Sequence, residues 1–139
     1  MSYWTNNNVQ EVSGINNNLG GTLLLYTNTT GQPVNLLYVR ATVQASVTVG
    51  NRQLALIIKD SAGTGIMLAP ASNTQAASLL IDYYWANGLI ALASATGVIT
   101  GTLPASYCVM PPGSTLSLTE LPSIDATDAV INIRVVFQS

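Results

Sequence analysis

The chain has 139 residues, enough for one domain with its own core, and 48% of them are hydrophobic while only 7% are charged. Four cations (Arg40, Arg52, Lys59, Arg134) against six acids (Glu11, Asp60, Asp82, Glu120, Asp125, Asp128) leave a formal charge of −2, with too few bases to grip nucleic-acid phosphates. With no histidine and one cysteine, the composition excludes a Ser-His-Asp triad, a Cys-His dyad, imidazole and thiolate metal sites and an internal disulfide, and it is too apolar for intrinsic disorder.

The first 20 residues stand apart. Asn6-Asn7-Asn8 and Asn16-Asn17-Asn18 flank a short mixed run, and Asn disfavours both helix and sheet. This pattern predicts an extended Asn-rich arm over residues 1–20, followed by a β-domain over 21–139. The start has neither a basic region nor an apolar run, so a secretory signal is not expected. Tyr3, Trp4, Val9, Val12 and Ile15 are the arm's candidate anchors on a neighbouring subunit, because bulky apolar groups gain most from a partner's pocket. A loose terminus is the plainer alternative.

From residue 21 the period is two. Thr22–Tyr26 reads as a short strand. From Leu37 to Val49 every odd residue is apolar, and Arg, Thr, Gln and Ser lie among the even ones, which predicts one long half-buried strand. Gly50-Asn51 reads as a hairpin turn into Arg52–Lys59, where Leu54, Leu56 and Ile58 share a face. Asp60-Ser61-Ala62-Gly63 is a turn. Gly65–Ala69 is a strand ending at Pro70, and 71–75 a polar loop. Ala77–Ala86 is a strand with Leu79, Ile81, Tyr83 and Trp85 together. Asn87-Gly88 is the strongest hairpin signal, with Leu89–Ala93 as the return strand. Tyr107–Met110 stops at Pro111-Pro112-Gly113. Ser114–Leu121 points Leu116 and Leu118 inward. Pro122–Asp128 is a loop, and Ala129–Phe137 closes the domain with Ile131, Ile133, Val135 and Phe137 on the core face. About eight strands with turn signals between them predict an all-β fold, an antiparallel β-sandwich of jelly-roll type. Residues 83–119 carry no charge, but Gly, Pro, Ser and Thr interrupt them, so no membrane helix is expected.

Little of this chain suits catalysis. Asp60, Asp125 and Asp128 lie in turns and loops, where Asp ordinarily bonds backbone amides. Asp82 sits on a strand where an arginine can pair with it, and Glu120 is expected where its strand exits to solvent. Asp125-Ala126-Thr127-Asp128 offers oxygens to a calcium ion but lacks the acid density of a dedicated loop. No cofactor, metal or enzymatic activity is expected. Of three adjacent aromatics, only Tyr83 and Trp85 can share a surface. Core or subunit packing is their ordinary role; with Asp82 they form the alternative, a ligand-binding set for a sugar ring. Cys108 is expected as a small buried hydrophobe. Asn28-Thr29-Thr30 matches the N-glycosylation pattern, a match given no weight because no secretory signal is expected. A nearly uncharged β-sandwich risks association, and its Thr, Ser, Gln and Asn cost less to desolvate than charges. Such a composition points to a life inside an assembly.

Three stretches carry a resemblance. Leu19-Gly20-Gly21-Thr22-Leu23-Leu24-Leu25-Tyr26-Thr27-Asn28-Thr29-Thr30-Gly31-Gln32-Pro33-Val34 is similar to an opening of small virion proteins of tailed bacteriophages. Arg52–Gly63, a strand into an Asp-x-x-Gly turn, resembles the centre of phage head-decoration sandwiches, and Met110–Leu116 resembles the Pro-Pro-Gly turn before their penultimate strand. The resemblance spans residues 19–137 and implies a capsid decoration (cement) protein on the virion's outer surface. It implies a homo-oligomer, a trimer, bound to the major capsid protein, with no nucleic acid or membrane as partner and no catalytic residues. The alternative is a tail or fibre tip domain that binds a host glycan.

Overall fold

A computed structural model describes residues 7–12, 17–18, 21–89, 97–104, 108–121 and 124–138. These residues form eleven strands and no helix: β1 (Asn7–Val12), β2 (Asn17–Asn18), β3 (Thr22–Thr27), β4 (Val34–Gln44), β5 (Leu54–Lys59), β6 (Gly65–Pro70), β7 (Leu80–Asn87), β8 (Val98–Leu103), β9 (Val109–Met110), β10 (Thr115–Glu120) and β11 (Ala129–Gln138). Two sheets pack face to face as a β-sandwich. The larger runs β1-β11-β4-β7-β8, with β2 beside β11 and β9 beside β4; the smaller runs β3-β10-β5-β6. All pairings are antiparallel except β7 with β8, which is parallel.

The core lies between the sheets. Val39, Ala41 and Val43 of β4, Ile81, Tyr83 and Trp85 of β7, and Ile133, Val135 and Phe137 of β11 face Leu54, Leu56 and Ile58 of β5 and Leu116 and Leu118 of β10. Each such aliphatic side chain contributes roughly 1.5–3 kcal/mol on leaving water. Tyr26 of β3 meets Phe137 across the gap, ring centroids 4.5 Å apart. Tyr83 and Trp85 stack at 5.4 Å, and Trp85 Nε1 donates to the Ala69 carbonyl of the opposite sheet at 3.1 Å.

Bulges correct the predicted alternation at both ends of the central pair. Val136 pairs with Tyr38 and Phe137 with Leu36, so Leu37 is the extra residue; Leu36 turns inward and Leu37 outward. The register also shifts between Val130 and Asn132, which buries Val130 and exposes Ile131, a residue the period assigns to the core. The run to Val49 does not stay in the sheet either. β4 ends at Gln44, and Val49 is 91% exposed. Gly50-Asn51 closes no hairpin, because β4 and β5 lie in different sheets and the chain crosses over between them.

Asn87-Gly88 is a turn, with Gly88 at φ +75 where a side chain would be strained. The strand beside β7 is nevertheless the parallel β8, which the alternation did not reveal. The expected return strand falls on residues 89–93, of which only Leu89 lies within the described residues. In the arm, Asn7–Val12 pairs with β11 of the same chain, Glu11 in register with Arg134.

Candidate interaction surfaces and the buried ion cluster

The connections at one end of the sandwich converge on buried charge. Arg52, just before β5, pairs with Asp128, just before β11: Nε to Oδ2 at 2.9 Å and Nη2 to Oδ1 at 3.2 Å, both side chains almost wholly buried. Arg52 Nη2 also donates to Ser46 Oγ at 3.1 Å and Nη1 to the Gly50 carbonyl at 2.5 Å. The Ser46 amide donates to Asp128 Oδ1 at 2.7 Å, and the Ser46 and Thr48 hydroxyls donate to Asp125. These bonds draw the chain off the sheet after Gln44, although the apolar alternation continues.

Glu120 ends β10 inside this cluster and is 2% exposed, not at the exit to solvent where its parity put it. The Ile124 amide donates to Glu120 Oε1 at 2.7 Å, while Oε2 has no hydrogen-bond partner. Burial pushes the Glu120 carboxyl up to about 7, and neighbouring Asp128 adds to the rise; the Ile124 amide and Arg52 oppose it. Burial also works to raise Asp128, but the Arg52 guanidinium, the Ser46 amide and the Glu120 acid outweigh it and hold that carboxyl low. Burial thus favours the protonated form of Glu120 beside an Asp128 carboxyl that is held low. Next to it, Tyr83 donates to Gln75 Oε1 at 2.9 Å, and burial pushes its phenol up.

Asp60, Asp125 and Asp82 are also engaged. Asp60 Oδ1 accepts the Ala62 and Thr64 amides at 3.0 and 2.9 Å, as its turn predicts. Asp125 is held low by the Thr48 hydroxyl first and then by the Thr127 amide and hydroxyl and Ser46. Asp82 accepts the Thr42 hydroxyl at 2.5 Å and lies 3.5 Å from Arg40, the arginine pairing expected of it. Among the described residues, no three His, Cys, Asp or Glu side chains converge as metal ligands. Cys108 is buried, and burial pushes its thiol up to about 11. Asn28, the glycosylation match, is a buried brace: its Nδ2 donates to the carbonyls of Gln32, Met110 and Pro111 at 2.8, 2.9 and 3.2 Å.

The two outer faces differ in chemistry. On the smaller sheet the register aligns Leu24, Ser117, Ile57 and Leu68 in one row across four strands. Leu24 and Leu68 are 57% and 59% exposed. Beside them lies a shallow groove of about 410 Å³ lined by Ile57, Lys59, Gly65, Ile66, Met67 and Leu68. Lys59 is the one charged residue on these strands' outer face. On the larger sheet the register places Glu11, Arg134, Arg40 and Tyr84 in one row, with Tyr38 in the next. Arg40 Cζ lies 5.6 Å from the Tyr84 ring centroid, and Tyr38 and Tyr84 are 6.1 Å apart.

The candidates named from sequence are not brought together. Tyr83 and Trp85 are completely buried, so the alternative ligand set of Asp82, Tyr83 and Trp85 has no accessible aromatic face; Asp82 points to the opposite side of β7. Tyr3, Trp4 and Ile15 lie outside the described residues, while Val9 and Val12 sit on the backbone of β1. The sequence reading missed Arg40, Arg134 and Tyr84 as a set. Parity alone puts each on an outer face, but their row exists only through cross-strand register. Comparison with known proteins finds no matching family model, curated protein or solved structure.

Proposed function

We propose that this protein is a non-enzymatic structural component of a tailed-phage virion, a capsid decoration (cement) protein that docks as a homotrimer on the outer surface of the major capsid shell. The observation that carries this reading is the outer face of β3-β10-β5-β6, an aliphatic row with Lys59 as its only charge. Leucine and isoleucine leave water favourably there, and neighbouring serine and threonine desolvate cheaply. The hydrogen bonds that engage Asp60, Asp82, Asp125 and Asp128 support a role without catalysis. We read the order β1-β11-β4-β7 over β3-β10-β5-β6 as that of a jelly roll, an architecture shared by viral shell and lectin domains. Fold likeness alone assigns no function.

Docking repeated over many shell sites would add roughly 800 Å² of buried surface per partner at each one and brace neighbouring capsomers. The test adds purified protein to undecorated shells. Native protein binds saturably and raises the temperature at which shells rupture, and Leu24→Lys with Leu68→Lys abolishes both. Equal binding by the double variant overturns the reading. Because Asn7–Val12 pairs with β11, deleting the arm would also bare a sheet edge. Its anchoring role is therefore tested with Tyr3→Ala and Trp4→Ala.

The second reading, a tail or fibre tip domain that binds a host glycan, is favoured by one observation: arginines and tyrosines gather on the outer face of the larger sheet.

A further inference from the structure

A cyclic trimer has no self-paired interface. Each copy gives one patch to the neighbour on one side and a different, complementary patch to the other. A homotrimer of this chain therefore needs two surfaces that fit each other, and the fold presents a knob and a groove.

The knob is the loop after β4. The Ser46 and Thr48 hydroxyls donate inward to Asp125, and the Ser46 amide donates to Asp128. Val47 and Val49 are left outside at 83% and 91% exposure, more than any other large hydrophobic among the described residues. The loop is also braced from behind: Arg52 donates to the Gly50 carbonyl, and the Ile124 side chain packs against Gly50. A braced loop loses little further freedom on binding.

The groove lies between β5 and β6, with Ile57, Ile66 and Leu68 in its lining and Lys59 as its one charge. β6 is an edge strand. Ile58 pairs with Met67 and Lys59 with Gly65, so Ile66 is a bulge, and Pro70 has no amide to donate. Both features oppose the addition of another strand, which leaves insertion of side chains into the groove. The knob does not reach the groove of its own chain. β5 begins beside Arg52, behind the knob, and from Leu54 to Lys59 it runs roughly 17 Å away.

Charge complements shape. Arg52, Glu120 and Asp128 are buried, while Asp125 stays partly exposed beside the valines. The Thr48 hydroxyl first, with Thr127 and Ser46, holds its carboxyl low and ionised. Asp60 follows Lys59 but lies outside the groove lining, and its Oδ1 accepts amides of its own turn. Opposite charges across such a contact fix its register more than its strength.

We propose that Val47 and Val49 of one copy insert into the β5–β6 groove of the next, with Asp125 facing Lys59, and that three such contacts close the trimer. This rests on the homotrimer of the decoration reading. It leaves Leu24 and the β3–β10 side of the outer face to the shell.

The test is analytical ultracentrifugation of the full chain without shells, over about 5 to about 500 µM, the range of a modest contact. The native mass rises to that of three chains. The Val47→Asn/Val49→Asn double variant sediments as a single chain, and Lys59→Glu weakens association at least about threefold, as reversal of a partly exposed charge implies. Thermal unfolding establishes that each variant is folded. Mixing Val49→Cys chains with Ile66→Cys chains under mild oxidation gives a disulfide-linked pair that neither gives alone, Cys108 being buried. The proposal is overturned by a mass that climbs past three chains, by native-like association of either folded variant, or by cross-linking of Val49→Cys chains alone as efficient as in the mixture. A trimer that persists in the double variant overturns this contact and leaves the homotrimer standing. A native chain that stays single at every concentration overturns both, and shell binding is then judged by the decoration assay.

Discussion

Arg52, Asp128 and Glu120 set one cation against two carboxyls in a nearly dry space. The second carboxyl is tolerated because burial favours its uncharged form. Its folded value, about 7 against an ordinary 4.5, fixes the sign of the linkage. A raised carboxyl contributes stability fully below its unfolded value, and that contribution is lost as pH rises through the folded one. Asp128 has the opposite sign: held low in the fold, it contributes above its unfolded value and loses the contribution as pH falls. The unfolding temperature should therefore drop between about pH 4.5 and 7 and then level off, and Glu120→Gln should remove that drop. A Glu120→Gln profile parallel to the native one would contradict a protonated Glu120. Arg52→Met strands Asp128 without its partner and should destabilise by about 3–5 kcal/mol in chemical denaturation. Asn28→Ala removes the donor shared by three carbonyls and should cost about 1–3 kcal/mol in the same assay.

Strands are held here by close contacts that a period of two does not encode. Gly101 of β8 is the clearest case. A Cβ there would lie 2.2 Å from Trp85 Nε1 and 3.1 Å from the Pro70 carbonyl, so indole and backbone leave no room. Gly101→Ala must displace Trp85, break its bond to Ala69 and separate β7 from β8 at the sheet junction. It should cost at least about 3 kcal/mol, at the upper end for overpacking, read as a lowered denaturation midpoint. Bulges act in the same way: Leu37 and Ile131 face out because one extra residue on one strand resets the parity of everything beyond it.

Over the whole molecule, the nearly uncharged face of the smaller sheet predicts a weak response to salt. On the proposed docking, the aliphatic face of the smaller sheet would act by desolvation, so shell binding should change little between about 0.05 and about 0.5 M salt. Shell binding measured in one salt series checks this without any mutation. Docking that collapses with salt would point to contacts other than Leu24, Ile57 and Leu68.

The sequence by itself determined the all-β class, the inward leucines of β5 and β10, the Tyr83–Trp85 pair on one face, the Asp60 turn and the burial of Cys108. Each follows from the two-residue period or from local turn chemistry, which act over a few neighbouring positions. Tertiary structure alone decided that β4 and β5 part into different sheets, that β8 lies parallel to β7, and that Glu120 is buried with Asp128. It alone placed Arg40, Arg134 and Tyr84 in a row. All four depend on which distant segment lies alongside, and residues 40 and 134 become neighbours only through the hydrogen-bonded register of strands almost a hundred positions apart.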